Sequence, residues 1–402
     1  MASSTDGERE MYRDRPVLPV AIVGHAASGK STLLEALSLA LSGQPGGVWV
    51  AGPRVDREAR GPRVVEGLVV SARRRYTLVD VPGDRSLLRW ASRAVSQCRA
   101  AILVVHAERS VEAQTREHLM HLRGVPESRL VVFVNACDAA AEPGWLDAVE
   151  AEVRESLWMC GYNGDEVAIV RGSALKGRHD ARWQPTVGAL AEVLERMPDV
   201  SWDGDAPALA QIVETYRREG ASTVVEVFVQ QGRLRVGERY FVPGLGAVRV
   251  REIQHARRPI MMAEAGEYVG LRLVTESTGA RGLRRGEVLS ALEAIEARDV
   301  ITLRLRFFGL FHPVFRRPVP AGSHAFVHLG AAGCQGILVP PSELGELQCD
   351  REYERVRVVL SRPVWAVTGL AVTLRTGRCP PAERVGALPA WAGTVGVGRV
   401  MP

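Results

Sequence analysis

Short apolar runs alternate with helix-patterned stretches through the first half of the chain. Runs of consecutive apolar residues predict buried strands, whereas apolar residues that recur every three or four positions predict helices. The predicted strands are 16–23, 76–80, 100–105, 130–135 and 167–170, and the predicted helices are 32–37, 86–96, 113–122, 143–157 and 187–197. This alternation indicates an α/β domain with a doubly wound, mostly parallel sheet, whose ligand chemistry lies at the carboxyl ends of the strands.

The second half of the chain has a different pattern. After a Pro/Gly/Asp-rich linker at 198–207, β-strands are predicted near 223–230, 239–243 and 269–274, separated by glycine turns. No catalytic cluster stands out there. A length of 402 residues is consistent with two to three domains.

A glycine-rich segment, Gly-His-Ala-Ala-Ser-Gly-Lys-Ser, separates the first predicted strand from the first predicted helix. It fits the pattern GxxxxGK[ST], in which curled backbone amides bind phosphate oxygens, the lysine reaches the β- and γ-phosphates and the final hydroxyl ligates magnesium. The helix that follows adds its positive N-terminal dipole. The alternative is an ordinary glycine turn. The predicted nucleotide-binding residues of this segment are Gly24, His25, Ala26, Ala27, Ser28, Gly29, Lys30, Ser31 and Thr32, with Ser31 also a magnesium ligand.

The composition strengthens the case for Lys30. Among 51 Lys and Arg residues, the sequence contains only two lysines, Lys30 and Lys176. A phosphate loop needs a compact ammonium on a flexible stem, which a planar guanidinium does not replace. Lys30 is therefore predicted to be chemically required.

Asp80-Val81-Pro82-Gly83 closes the next predicted strand. An aspartate at this point can hold magnesium through water, and the N–H of Gly83 can meet a γ-phosphate and respond to its loss. By itself the tetrapeptide is also a common turn. Its position about fifty residues after a phosphate loop favours a nucleotide switch that includes Asp80, Pro82 and Gly83.

Two further motifs end later strands. Asn135-Ala136-Cys137-Asp138 follows one strand, and Gly172-Ser173-Ala174-Leu175-Lys176 follows the last. A carboxylate at Asp138 can accept from both guanine N1–H and the exocyclic amine, a pair of donors that adenine lacks, and this would give selectivity for guanine. Each motif alone could be an ordinary strand-to-helix loop. Together they add five residues to the predicted nucleotide site, namely Asn135, Asp138, Ser173, Ala174 and Leu175.

Charge and cysteine content restrict the possible functions less than the motifs do. The formal net charge is +5 and the isoelectric point is about 9.0, so the chain either binds a polyanion or has an arginine-rich solvated surface. Basic clusters such as 73–75 and 284–285 are spread over the sequence. The six cysteines form no CxxC pair, which argues against a zinc site or a disulfide framework. Without a signal-like segment or an apolar run of about 18 to 20 residues, a cytoplasmic protein that does not enter a membrane is predicted.

These motifs, together with 114–118 (Gln-Thr-Arg-Glu-His), occur in an order and spacing that resemble the elongation factor Tu family of translational GTPases. The resemblance extends over nearly the whole chain. It implies a P-loop G domain followed by two β-barrel domains, with a polar segment 1–16, the G domain 17–197, the linker 198–207 and barrels 208–293 and 294–402. It also implies GTP/GDP and Mg²⁺ as ligands, GTP-dependent delivery of aminoacyl-tRNA to the ribosome, a nucleotide exchange factor as a partner, and a monomer.

Four departures from the family pattern affect the predicted activity. Asp84 stands where the family has the histidine that orients the attacking water, and it brings negative charge toward the γ-phosphate, so slow hydrolysis is predicted. Arg63 stands at a magnesium-ligating threonine, where it is either a finger toward the γ-phosphate or solvent-exposed. Ala136 replaces a lysine that flanks guanine. The segment 308–318 is shorter than in the family, in a region that contributes to tRNA contact.

These departures leave a second hypothesis open. In this alternative, the chain is a hydrolysis-impaired GTP/GDP-binding interaction or regulatory protein derived from the same fold. A third, weaker alternative is a related GTPase coupled to another enzyme, such as one of sulfate activation. Histidines 106, 118 and 121, on or beside predicted helices, are interpreted as surface or capping residues rather than ligands.

Overall fold

A computed structural model describes most of the chain, and two compact units divide it, residues 1–201 and 202–402. The division falls within the predicted linker 198–207. The bounds of the three predicted domains remain a prediction. The described residues are 15–43, 48–51, 65–81, 83, 95, 97–125, 127–140, 142, 144–217, 222–255, 258–275, 282–293, 297–307, 318–341, 344–348, 351–366, 370–375 and 394–401.

The first unit contains a seven-stranded sheet in the order β2-β3-β4-β1-β5-β6-β7. Strands β4, β1, β5, β6 and β7 are parallel, whereas β2 and β3 are antiparallel additions at one edge. The strands are β1 Val17–Gly24, β2 Val48–Ala51, β3 Val65–Val70, β4 Arg75–Asp80, β5 Ala100–His106, β6 Leu130–Asn135 and β7 Ala168–Arg171, and the helices are α1 Lys30–Ser42, α2 Ala113–His121, α3 Trp145–Met159 and α4 Gln184–Arg196.

Parallel pairing brings the predicted motifs to one edge of this sheet. Gly24 on β1 pairs with Val104 on β5, and His106 on β5 pairs with Asn135 on β6. Because the carboxyl ends of β4, β1, β5, β6 and β7 therefore lie side by side, the loops that follow them are neighbours. The apolar side chains of β1 and α1 belong to one buried core, in which Ile22, Leu33 and Leu37 are fully buried.

The second unit begins with a six-stranded antiparallel barrel. The ring runs β11-β16-β8-β9-β15-β12 and closes by pairing of β12 with β11, while β13 extends from β12 and β10 pairs with β14. Alternating buried positions along β9 and β12 face its own apolar core. The strands are β8 Leu209–Arg217, β9 Thr223–Gln231, β10 Arg233–Arg235, β11 Arg239–Val242, β12 Gly246–His255, β13 Arg258–Ile260, β14 Met262–Glu264, β15 Tyr268–Thr275 and β16 Val288–Ser290.

A second closed barrel of six antiparallel strands follows, in the order β17-β22-β20-β19-β23-β24. It has a separate core, to which Leu303, Val327 and Val358 contribute fully buried side chains. A short pair, β18 and β21, lies outside the ring. The strands are β17 Arg298–Phe307, β18 Val319–Pro320, β19 His324–Leu329, β20 Ala332–Val339, β21 Glu346–Leu347, β22 Glu352–Val364, β23 Ala371–Arg375 and β24 Thr394–Val400.

Most predicted elements of the first half are present with ends shifted by one to three residues, but the apolar runs miss β2 and β3. Apart from residue 95, the predicted helix 86–96 lies outside the described residues, as does the segment 308–317. Among the described residues, no helix combines the length and apolar composition needed to cross a membrane, and no three or more His, Cys, Asp and Glu residues cluster in a way that could hold a metal ion. The four described cysteines, Cys98, Cys137, Cys160 and Cys334, are buried and are not joined in disulfides.

Two expectations of a surface position are wrong, whereas the capping role and the absence of a ligand role for the histidines stay predictions. His118 and His121 are buried, at 0% and 4% exposure, because the inner face of α2 packs on β1 and β5. Arg74, part of the basic cluster 73–75, is 1% exposed and cannot contact a polyanion.

Candidate nucleotide-binding site

The predicted phosphate loop, residues 24–31, connects β1 to α1. Since β1 is buried along its entire length, the loop leaves a firmly packed strand. The φ angle is 90° at Gly29 and 58° at Ala27, so the backbone curls tightly before the first turn of α1, where Thr32 lies. Such a curl directs consecutive amides toward a common point, which is the geometry of an anion-binding cradle.

Two polar side chains of the loop are buried. Lys30 is 7% exposed, and its ammonium donates to the backbone carbonyl of His25 at 2.7 Å, across the loop. Burial lowers the pKa of Lys30, Asp80 opposes this shift, and the charge of Arg109 adds to the lowering. The hydroxyl of Ser28 is also buried and has no hydrogen-bond partner among the described residues. A phosphate group in the cradle would supply partners to both groups.

Ser31 and Asp80 lie together beside the loop. The Ser31 hydroxyl donates to Asp80 Oδ2 at 2.5 Å, and Asp80 is 8% exposed at the end of β4. Burial raises the pKa of the Asp80 carboxyl, and the hydrogen bond from Ser31 works against this shift. Hard oxygen donors of this type suit Mg²⁺, so the two residues predicted to hold the metal fit that ion.

Gly83, the glycine of the predicted switch, lies against the phosphate loop. A Cβ at this position would collide with the ammonium of Lys30, the carbonyl of Gly24 and the amide of Ala26. The side-chain amide of Gln114 on α2 donates to the carbonyl of Gly83. The backbone at residue 83 is thus placed between the loop and α2. The neighbouring Pro82 and Asp84, and also Arg63, lie outside the described residues.

Asn135 connects the phosphate loop to the loop after β7. Its Nδ2 donates to the carbonyl of Ser28 at 2.8 Å, and its Oδ1 accepts from the backbone N–H of Ala174 at 2.8 Å. Asn135 is 6% exposed, whereas Asp138 is exposed to solvent, and Leu175 is 57% exposed. The loops after β6 and β7 therefore present a free carboxylate and an apolar side chain beside the cradle, and Ser173 is buried under them.

A third loop, after β5, contacts the phosphate loop, although the sequence motifs do not include it. The guanidinium of Arg109 donates to the carbonyls of Ala27 at 2.7 Å and Ala26 at 3.4 Å. Glu112 Oε2 lies 3.1 Å from Nδ1 of His25. These contacts join residues more than 80 positions apart, so no local sequence pattern marks them.

His118 is a second residue whose place near the phosphate loop the sequence motifs do not indicate. Both ring nitrogens are buried and have no hydrogen-bond partner in the described part of the chain. Burial, with contributions from the charges of Lys30 and His25, lowers the pKa of His118 to about 3. The imidazole is therefore neutral at physiological pH and lies close enough to the loop to sense its charges.

The site has the architecture of the P-loop nucleotide-binding proteins, because its motifs lie at the carboxyl edge of a parallel sheet. Two barrels follow this domain in the chain. Residues 55–217 match the family described as Elongation factor Tu GTP binding domain. The chain is 30% identical over 378 residues to Elongation factor Tu 2 of Streptomyces avermitilis, which covers 91% of this chain and 95% of that protein. The chain therefore belongs to the elongation factor Tu family of translational GTPases.

Solved structures show the same fold. Translation elongation factor SelB of Methanococcus maripaludis, in complex with the GTP analogue GppNHp, aligns with a TM-score of 0.74 and 20% identity over 97% of this chain and 80% of that one. A bacterial selenocysteine-specific elongation factor, EF-Sec, aligns with a TM-score of 0.72 and 18% identity over 96% of this chain and 58% of the other. At these identities the likeness concerns the fold.

Proposed function

We propose that this chain binds guanine nucleotides at the loop 24–31 and, in its GTP state, delivers aminoacyl-tRNA to the ribosome, with slow GTP hydrolysis. The observation that carries the nucleotide part is the position of Asn135. Its amide joins the phosphate loop to the loop after β7, so that phosphate and base recognition share one rigid framework. The residues proposed to bind the nucleotide are the set predicted from the sequence, of which Gly24 is the first and Leu175 the last.

Guanine selectivity is assigned to Asp138. Its carboxylate is exposed beside Asn135, and an acidic group there accepts two hydrogen bonds that only guanine can donate. Lys30 supplies the positive charge for the phosphates, and Ser31 ligates Mg²⁺ while Asp80 holds the ion through water. The bound metal would neutralise charge on the β- and γ-phosphates.

Exchange of the base-recognition chemistry tests this assignment. In Asp138→Asn, the side-chain amide can donate to the 2-oxo group of xanthine, but it cannot accept both guanine donors. We expect affinity for GTP to fall on the order of a hundredfold while affinity for XTP rises, measured by displacement of a fluorescent nucleotide. Asp165→Asn, at an exposed carboxylate away from the loops, is the matched control. Retained GTP preference in D138N, or tighter ATP than GTP binding by the wild type, would contradict the assignment.

Slow hydrolysis is proposed from Asp84 and Arg63, and a lower nucleotide affinity is proposed from Ala136. Asp84 replaces the histidine that orients water in the family, Arg63 replaces a metal-ligating threonine, and Ala136 replaces a lysine beside guanine. A carboxylate near the γ-phosphate opposes the relief of negative charge that the transition state needs. Asp84→His should therefore increase GTP turnover at saturating nucleotide, and an unchanged rate would argue against this role of Asp84. Arg63→Ala separates the finger from the solvent-exposed alternative, because only loss of a finger slows turnover.

Delivery of aminoacyl-tRNA is tested by two measurements on the wild-type protein. We expect the GTP-bound form to protect the aminoacyl ester from spontaneous deacylation, and we expect ribosomes to stimulate GTP hydrolysis. The GDP-bound form provides the control, since it should protect far less. The family relationship and the two barrels support this proposal, and a nucleotide exchange factor is a further proposed partner of the monomeric chain.

The same residues at 63, 84 and 136 favour a second candidate. In this alternative the chain is a hydrolysis-impaired GTP/GDP-binding interaction or regulatory protein. Tight GTP binding without ester protection and without ribosomal stimulation would support this candidate over aminoacyl-tRNA delivery.

A further inference from the structure

The turn that connects β5 to α2, residues 106–112, contacts the phosphate loop from its outer side. Arg109 is exposed, and the two terminal nitrogens of its guanidinium donate to consecutive loop carbonyls, 2.7 Å to Ala27 and 3.4 Å to Ala26. A planar guanidinium can bridge two neighbouring acceptors, whereas an ammonium presents a single charged nitrogen. The contact is therefore specific to arginine in its geometry.

The turn is itself fixed to the body of the domain. The Ser110 hydroxyl donates to Glu152 Oε2 on α3 at 2.5 Å, and the Trp145 indole donates to the carbonyl of Ala107 at 2.8 Å. The backbone N–H of Arg109 donates to the carbonyl of His106 at 3.1 Å, which closes the turn. Arg109 thus contacts the phosphate loop from a turn that is itself attached to β5 and α3.

Because a peptide unit is planar, the contact of Arg109 with the loop carbonyls also fixes the direction of the N–H groups in the same peptide units. The carbonyl of residue 26 and the N–H of residue 27 belong to one planar trans unit and point in opposite directions, and the same holds for residues 27 and 28. When Arg109 binds the two carbonyls on the outer side, the two N–H groups are turned away from it, and the N–H of Ser28 donates to the carbonyl of His25 at 3.2 Å inside the loop. The positive φ of 58° at Ala27, unusual for a non-glycine residue, is held by the same contact.

We propose that Arg109 is a positioning residue for nucleotide binding, which holds the peptide units of Ala26 and Ala27 in the orientation that receives phosphate. This inference rests on the proposed nucleotide binding at the same loop. Pre-orientation reduces the ordering cost of binding, so the phosphates meet a cradle that is already formed. The contact between Glu112 Oε2 and His25 Nδ1, at 3.1 Å, is a second attachment of the same turn to the loop.

The test follows the release of fluorescent mant-GDP and mant-GTP from the full-length protein after addition of excess unlabelled nucleotide. In Arg109→Ala we expect both dissociation rates to increase on the order of tenfold. Arg109→Lys keeps the positive charge but loses the bridge, so we expect its rates to resemble those of the alanine variant. The increase should persist at 0.5 M KCl, where long-range attraction of an exposed charge is largely screened.

The control variant is Arg196→Ala, which removes an exposed arginine paired with Glu192 on α4 and should release nucleotide at the wild-type rate. Wild-type release rates in R109A would overturn the inference. Wild-type release rates in R109K would show that only the charge of Arg109 matters, and so would an increase that disappears at high salt. Either result would also overturn the inference. If the wild-type protein fails to bind mant-GDP and mant-GTP, the proposed function fails first, which separates the two failures.

Discussion

Lys30 is one of two lysines in a chain that otherwise uses arginine for its basic residues. Its side chain is buried, and its ammonium reaches a loop carbonyl 2.7 Å away within a space closed on one side by Gly83. A guanidinium is wider and planar and cannot enter this space without displacing the backbone. The local geometry explains why arginine has not replaced lysine at this position.

Lys30→Arg should therefore abolish nucleotide binding almost as completely as Lys30→Ala. We expect GTP and GDP affinities to fall by on the order of a hundredfold or more, measured by fluorescence titration, because the phosphates lose a charge-assisted contact in a buried site. Lys176→Arg is the matched control, since Lys176 is exposed and its charge is retained. Near-wild-type affinity in K30R would show that only the charge at position 30 matters.

Gly29 shows a second constraint of the same loop. Its φ of 90° favours glycine, and a Cβ there would strike the Asn135 amide that joins the phosphate loop to β7. Gly29→Ala should thus push Asn135 from both of its hydrogen bonds.

We expect Gly29→Ala to lose at least about tenfold in nucleotide affinity and to unfold at a lower temperature, as measured by titration and calorimetry. The control is Gly188→Ala in α4, where an added Cβ meets no atom within 4 Å. Because alanine favours a helix over glycine, this control should keep its affinity and gain up to about 1 kcal/mol of stability. Equal affinities of the two variants would contradict the collision at Asn135.

At the scale of elements, the C-terminal end of α4 depends on a side chain from another part of the sheet. Arg74, just before β4, donates to the carbonyls of Leu194 at 3.4 Å and Met197 at 2.8 Å and pairs with Asp199 at 2.8 Å. The last carbonyls of a helix lack partners within the helix, and a cation there also complements the helix dipole. Arg74 thus caps α4 although it is far away in sequence.

Arg74→Ala should lower the free energy of unfolding of the G domain by about 1 to 3 kcal/mol, because the buried carbonyl of Met197 loses its donor, while that of Leu194 keeps the N–H of Met197. Urea unfolding measured by circular dichroism checks this value. Arg196→Ala removes an exposed arginine from the same helix end and should change stability by less than about 0.5 kcal/mol. A similar small loss in R74A would mean that water replaces the cap.

The cap of α4 illustrates which features the sequence can predict. Phosphate loop and guanine motifs are recognisable because their residues are close together and their chemistry needs fixed spacing. The contacts of Arg74 and Arg109 join segments about 80 to 120 residues apart, so no local pattern marks them. In α2, buried Thr115, Glu117 and His118 lack the apolar periodicity that signals an inner face, so the sequence does not reveal that these polar side chains are buried.

At the scale of the second unit, one buried glutamine joins the two barrels. Gln211 on β8 donates from Nε2 to the carbonyl of Leu329 at 3.3 Å and accepts at Oε1 from the N–H of Ala331 at 2.9 Å. Between these partners, Gly330 has a φ of 57°, and a Cβ there would strike the glutamine amide. At a second point of contact, a Cβ on Gly286 would collide with Ala332. These polar and close backbone contacts connect two closed barrels that have separate cores.

This arrangement predicts that Gln211→Ala weakens the coupling between the barrels more than it weakens either barrel. Loss of both hydrogen bonds leaves a buried carbonyl and a buried N–H unpaired, which should lower the free energy of unfolding by about 2 to 3 kcal/mol. Since each barrel keeps its own core, calorimetry should then resolve the single transition expected for residues 202–402 into two. Gln231→Ala, which removes an exposed hydrogen bond from β9 to the carbonyl of Pro207, is the matched control and should leave one transition. One cooperative transition in Q211A, at the wild-type temperature, would show that apolar contacts alone hold the barrels together.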